Sequence, residues 1–402
     1  MRYSRGNLEF NWDKSTKRIS IVELNKKNFV SKFQQDLLLI DTNQGHPYSQ
    51  KRAFFLPQEI EDSLHEFFEA IKEIENKDQD HELAAYLASY VYERLAGFWT
   101  NHLLNKGLFT TGVTFWQEII SETLEWESNN SPIKIHKGTP FFFLAHNCLL
   151  IGDRDNGFTY LYNALEDDKK LPSLNYPQDA PAYLTAIMSQ KPKNFMFPQV
   201  RDLRNFLGSF LHKFNQSFTR LSIGDFDSKF LENTQLFDVA AFFVYNFKFV
   251  YDQSKNTTAQ LLQNDFSRLK ILDLFFNFGL IVDEVLHYSA SQHNQSPNMM
   301  KEAVSWWAES QFHVTQNNFD NLIGSNGLDL KSQSLDSVIP TLLSNIQNPS
   351  QNIPKEVYIM LVTYKLRNHA GHNINQQTVL GTQYDEILEK LLFSLFLAIQ
   401  SI

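Results

Sequence analysis

Residues 138–168 read GTPFFFLAHNCLLIGDRDNGFTYLYNALEDD. Phe141, Leu144 and Ala145 recur at three and four residues, which is one face of a helix. Gly152 ends that helix, and Gly157 lies five residues further on, inside the next. The same arrangement occurs 45 residues upstream. There Gly107, Gly112, Trp116 and Ile119 repeat the spacing of Gly152, Gly157, Leu161 and Ala164. Two copies of one spacing are an internal repeat of helix–turn–helix hairpins.

Working outward, residues 81–105 read as a long helix leading into the first hairpin. Before it, Ile60, Leu64, Phe67, Phe68 and Ile71 form an apolar stripe that predicts a helix opening at Pro57, where a missing N–H costs nothing. Residues 1–60 are the least regular. Weak alternation in Arg18–Leu24 is compatible with short strands there, and Gly45, His46 and Pro47 mark a turn. Five of the 13 prolines fall in residues 171–198, which predicts a connector. Beyond it, periodicity predicts helices near 199–219, 235–252, 258–289, 298–313, 335–347, 355–368 and 384–400. The last carries Ile387, Leu388, Leu391, Leu392, Leu395, Phe396 and Ile399 as one apolar stripe. The expected fold is therefore mainly α. Three segments are expected: residues 1–80 without a clear fold, helical hairpins with their connector at 81–198, and a helical region at 199–402 with its core at about 235–402.

The second hairpin resembles a tetratricopeptide repeat, and the first does so loosely. Phe141, Leu144 and Ala145 stand where that family packs its first helix. Gly152 fits the turn, and Gly157, Leu161 and Ala164 fit the second helix. Cys148 replaces the usual tyrosine, and the closing proline is absent. The resemblance implies an α-solenoid-like surface that binds a regulatory protein or a small molecule.

Composition narrows the function. The 402 residues carry 36 Lys+Arg against 45 Asp+Glu, a formal charge of −9, so any nucleic-acid contact must be local. Residues 235–402 are acidic too, with 10 basic and 15 acidic side chains. The single cysteine, Cys148, excludes an internal disulfide and CxxC chemistry. No apolar run is long enough to span a bilayer, and the opening MRYSRGNLEFNW lacks the apolar core of a secretory signal. The expected location is the cytoplasm.

One polar cluster stands out. Residues 364–374 read YKLRNHAGHNI, placing an arginine, two histidines and two asparagines within 367–373. Arg367-Asn368-His369-Ala370-Gly371-His372 is an arginine, four residues, then a histidine. Two other arginine–histidine pairs, Arg204/His212 and Arg94/His102, have seven intervening residues and miss that spacing. A structural reading is also available, a helix end capped at Gly371 with basic residues favourable to the dipole.

The cluster resembles the signature of the HEPN superfamily, helical domains of which many are metal-independent endoribonucleases. Their motif is an arginine, four to six residues and a histidine, with a polar residue after the arginine. The resemblance covers roughly residues 235–402. It implies that Arg367, Asn368 and His372 are catalytic, with His369 and Asn373 as accessory RNA-phosphate contacts. RNA brings its own nucleophile, the 2′-OH. A histidine suits the proton transfers, and an arginine fork matches phosphate oxygens. No cofactor is expected. No metal is expected either, because nothing nearby completes a ligand set around His369 and His372. Five residues on an ideal helix turn through about 500°, so Arg367 and His372 would diverge by about 140°. Either Gly371 bends the chain or two copies face each other, and the family often uses the latter; a homodimer is expected. The expected activity is that of a toxin or effector in phage defence or stress response, cutting RNA and controlled by the N-terminal helices. The alternative is a non-catalytic HEPN-like or solenoid protein that binds a nucleotide or a protein partner. His287, His293 and His313 read as isolated structural residues, and Trp306 and Trp307 as core.

Overall fold

The computed structural model describes residues 1–5, 8–16, 18–21, 58–170, 180–191, 197–255, 265–325, 327–370 and 378–402. The expected turn at Gly45–Pro47 lies outside them. Among the described residues the chain is mainly helical, with one small sheet. It divides into two compact units. The first comprises Met1–Thr185 and Lys191–Met196, the second Ala186–Gln190 and Phe197–Ile402. No helix of the described residues is long and apolar enough to cross a membrane.

In the first unit, β1 (Arg2–Arg5), β2 (Leu8–Asp13) and β3 (Arg18–Ile21) form an antiparallel sheet in that order. Tyr3 faces Phe10, and Trp12 faces Ile19 across the ladder. Leu8, Phe10 and Trp12 alternate onto the buried face of β2, as a two-residue period requires. They join one core with α1 (Gln58–Glu73) and α2 (His81–Trp99). The predicted stripe of α1 is buried, with Ile60, Leu64, Phe67, Phe68 and Ile71 all at 0–1% exposure. Each such side chain contributes about 1.5–3 kcal/mol of burial.

The repeated glycines perform the same two tasks in each hairpin. Gly107 (φ 72°) and Gly152 (φ 82°) occupy left-handed positions that a side chain would strain. Each closes a helix with the same pair of bonds. Gly107 N–H donates to Leu104 O (3.0 Å) and Leu108 N–H to Leu103 O (2.9 Å). Gly152 N–H donates to Leu149 O (3.4 Å) and Asp153 N–H to Cys148 O (2.9 Å). These are two Schellman ends. The second glycine of each pair then permits close approach. A Cβ on Gly112, in α3 (Phe109–Asn129), would lie 2.1 Å from Asn147 Oδ1. A Cβ on Gly157, in α5 (Arg154–Asp168), would lie 2.7 Å from Leu149 of α4 (Gly138–Leu150). Asn147 accepts from Trp99 Nε1 at 3.1 Å and donates to Phe143 O at 2.7 Å, so the first approach is built around a buried, satisfied amide.

The proline-rich stretch is not wholly irregular. Pro181–Ala186 is a short helix whose Ala182, Tyr183 and Leu184 are at most 2% exposed. The next residues are bonded into the second unit. Arg204, on α6 (Phe197–Asn215), donates to Met188 O at 2.9 Å and grips Asp227 at 2.9 and 2.7 Å. Ser189 donates to Glu232 at 3.1 Å.

The second unit continues with α7 (Phe237–Lys255), α8 (Asp265–Gln292), α9 (Met300–Phe312), α10 (Gln316–Ile323), α11 (Leu335–Gln347), α12 (Lys355–Ala370) and α13 (Tyr384–Gln400). The 28-residue α8 packs against α7, α9, α12 and α13. Helix α10 escapes sequence reading because it is short and Asn-rich; Thr315 caps it by accepting from Asn318 N–H at 3.4 Å. The predicted stripe of α13 is buried, but so are Phe393, Ser394, Leu397 and Ala398. From Leu391 to Ile399 the helix is therefore enclosed on all sides, while its first two turns are amphipathic, with Asp385 exposed and Glu386, Glu389 and Lys390 half-buried.

Candidate functional site

Helix α12 presents the Arg–Asn–His cluster at its C-terminal end. Val357 to Val362 are all at most 4% exposed, so the helix enters the site from the core. Two polar anchors fix its last turns. Thr363 donates to Ser394 of α13 at 2.7 Å. Lys365, 4% exposed, donates to Leu330 O at 2.7 Å and Gln333 O at 2.5 Å. Burial pulls the Lys365 ammonium below its ordinary pKa.

Arg367 crosses α8 at a glycine. A Cβ on Gly279 would lie 2.7 Å from Arg367 Cβ and 3.3 Å from its Cα. The guanidinium is then held from two sides. Nη1 donates to Asn368 Oδ1 at 3.2 Å, and Nη2 pairs with Asp283 Oδ2 at 3.2 Å. The Arg367 side chain keeps 35% exposure while that of Asp283 has 9%. One turn beyond Asp283, His287 Nδ1 lies 3.0 Å from Asp283 Oδ1 and 2.8 Å from the Asp283 carbonyl. One carboxylate thus faces an arginine with one oxygen and a histidine with the other. Burial nevertheless raises the Asp283 pKa, against the opposing pull of His287 and Arg367.

Tyr364 stands one turn before Asn368, and burial pushes its phenol above its ordinary pKa. His369 points inward. It is 8% exposed, its Nε2 has no partner, and burial, then Lys365, lowers its pKa. His372 and Asn373 lie outside the described residues. Where the chain resumes, Asp336 of α11 fixes it, accepting from Thr378 Oγ1 at 2.8 Å and Val379 N–H at 2.7 Å.

No known family, curated protein or solved structure matches the chain. What the site can do has to be argued from its own chemistry. Arg367, Asn368 and His369 sit on one helix end, but only Arg367 and Asn368 are placed to meet a ligand. Among the described residues no three His, Cys, Asp or Glu side chains converge as a metal-ligand set.

Sequence reading misses Asp283, His287 and Gly279. Asp283 and His287 stand four apart, the spacing that pairs side chains on a helix, and that was the available signal. His287 is not isolated: it belongs to the arginine's own carboxylate.

Proposed function

We propose that the chain is a metal-independent endoribonuclease of the HEPN type. The observation that carries this reading is the Arg367 fork, held by Asn368 and Asp283 at the helix end that leads to His372. A tethered but partly open guanidinium suits a phosphodiester, because its geometry is set before the charge arrives. In this reaction the RNA 2′-oxygen loses its proton and bonds to phosphorus. The bond from phosphorus to the 5′-oxygen breaks, and that oxygen takes up a proton. The products are a 2′,3′-cyclic phosphate and a 5′-hydroxyl. Arg367 stabilises the phosphorane charge, Asn368 fixes the fork, and His372 moves a proton. His369, being buried, supports the helix end more than it touches RNA.

The fold supports a further division of labour within this reading. The two Schellman-ended hairpins suit a tetratricopeptide-like, solenoid-like surface that binds a regulatory protein or small molecule. The second unit forms the HEPN-like bundle and a homodimer. The setting is a cytoplasmic toxin or effector in phage defence or stress response. The test is expression of wild type, Arg367→Ala and His372→Ala in cells, reading growth and total RNA. Wild type should cut RNA in EDTA and leave cyclic phosphate ends. Intact RNA in all three, or cleavage that needs magnesium, overturns the reading.

The pairing of Arg367 with Asp283 favours one rival. An arginine already neutralised in an acidic unit suits a non-catalytic protein that binds a nucleotide or a partner. Tight binding of a nucleotide with no cleavage by wild type selects that rival.

A further inference from the structure

Cleavage through a 2′-OH needs two proton transfers on opposite sides of phosphorus. One group removes the 2′ proton, and another delivers a proton to the departing 5′-oxygen. Of the two motif histidines, His369 is 8% exposed and is no candidate for either transfer, which leaves the motif with His372 alone. A dimer could lend a second copy. The structure offers a different source within the same chain.

Gly279, Asp283 and His287 stand four apart on α8, on the face that meets Arg367. Gly279 lets the arginine backbone approach, Asp283 faces its Nη2, and His287 Nδ1 lies 3.0 Å from the other Asp283 oxygen. The imidazole is oriented through Nδ1 by its hydrogen bond with the Asp283 carbonyl at 2.8 Å, with the carboxylate close beside it. Its Nε2 has no hydrogen bond among the described residues, and the side chain is 28% exposed. An imidazole held at Nδ1 with Nε2 open is arranged to move a proton. The arginine that would hold the phosphate shares its carboxylate.

We propose that His287 is a proton-transfer group of the ribonuclease site, working beside Arg367. This rests on the ribonuclease reading above. It gives each copy of the chain a histidine for the reaction besides those of the motif.

The test uses full-length protein and total RNA, with cleavage rates for wild type, His287→Ala, His372→Ala and Arg367→Ala, each with and without added imidazole. His287→Ala should cut at least about 100-fold more slowly than wild type, the usual loss of a general acid or base. Added imidazole should restore part of that rate, and should not restore Arg367→Ala. Should His287→Ala keep a rate within twofold of wild type while His372→Ala and Arg367→Ala do not cut, the ribonuclease reading stands and this proposal falls. A loss that imidazole leaves untouched assigns His287 to structure and also overturns it. Wild-type protein that cuts no RNA removes the ribonuclease reading, and this role with it.

Discussion

Replacing Gly279 by alanine tests the helix crossing on which the site depends. Two effects oppose each other. In a helix interior alanine is favoured over glycine by about 1 kcal/mol. Against that, the new methyl carbon would sit 2.7 Å from Arg367 Cβ and 3.3 Å from Arg367 Cα. Neither atom belongs to a freely rotating side-chain end, so the helices must move apart. Overpacking of this kind costs about 1–3 kcal/mol, and the 3.2 Å Arg367–Asp283 pair would lengthen with it. The net expectation is a loss of up to about 2 kcal/mol. Gly208 of α6 provides the control, since a Cβ there meets nothing within 4 Å. Gly208→Ala should stabilise by about 1 kcal/mol. Both residues lie in the second unit, so its urea transition should move down for one variant and up for the other. The crossing as described fails if Gly279→Ala stabilises the protein as much as Gly208→Ala does.

His146, 4% exposed, has its pKa lowered by burial to about 4, against 6.5 for a free histidine. The unfolded chain therefore binds more protons between those values, and stability should fall by about 3 kcal/mol as pH drops from 6.5 to 4. His146→Phe should flatten that part of the pH profile, measured by urea unfolding; an equally steep profile in the variant contradicts the assignment. Glu127, with a 2% exposed side chain, accepts from Ile135 N–H at 2.7 Å and Lys137 Nζ at 2.5 Å. Glu127→Ala strands a buried ammonium and should cost about 3–5 kcal/mol in the first unit, and a change below 1 kcal/mol argues against this network. Gly107→Ala and Gly152→Ala, both at positive φ, should each cost about 1–2 kcal/mol by thermal unfolding. Unequal costs would mean that the two hairpin ends are not equivalent.

The legible parts of the chain share one property: the signal and its cause lie close together in sequence. The Gly107/Gly112 and Gly152/Gly157 spacings were visible because a helix end and the small residue of the next helix lie five positions apart. Helices α11 and α13 have the bounds that periodicity gave, 335–347 and 384–400. Periodicity did not show that α13 is buried all round from Leu391 to Ile399, because serine and alanine on its far face look polar or neutral until something packs on them. The chemistry divided the same way. Arg367 and Asn368 stood out as neighbours, whereas Asp283 lies 84 positions from Arg367 and looked like any acid on a long helix. Its role comes from tertiary packing at Gly279, which no local pattern encodes.

The bond from Arg204 to Met188 bears on the order in which the protein is made. Residues 186–190 belong to the second unit, although 191–196, which leave the ribosome after them, belong to the first. Met188 therefore emerges as a loose end. It waits 16 residues for Arg204 and 39 for Asp227, which locks that arginine in place. At about 5–20 residues per second the wait lasts a few seconds. Anyone splitting the gene at residue 198 would hand the first fragment a strap that the second fragment ties.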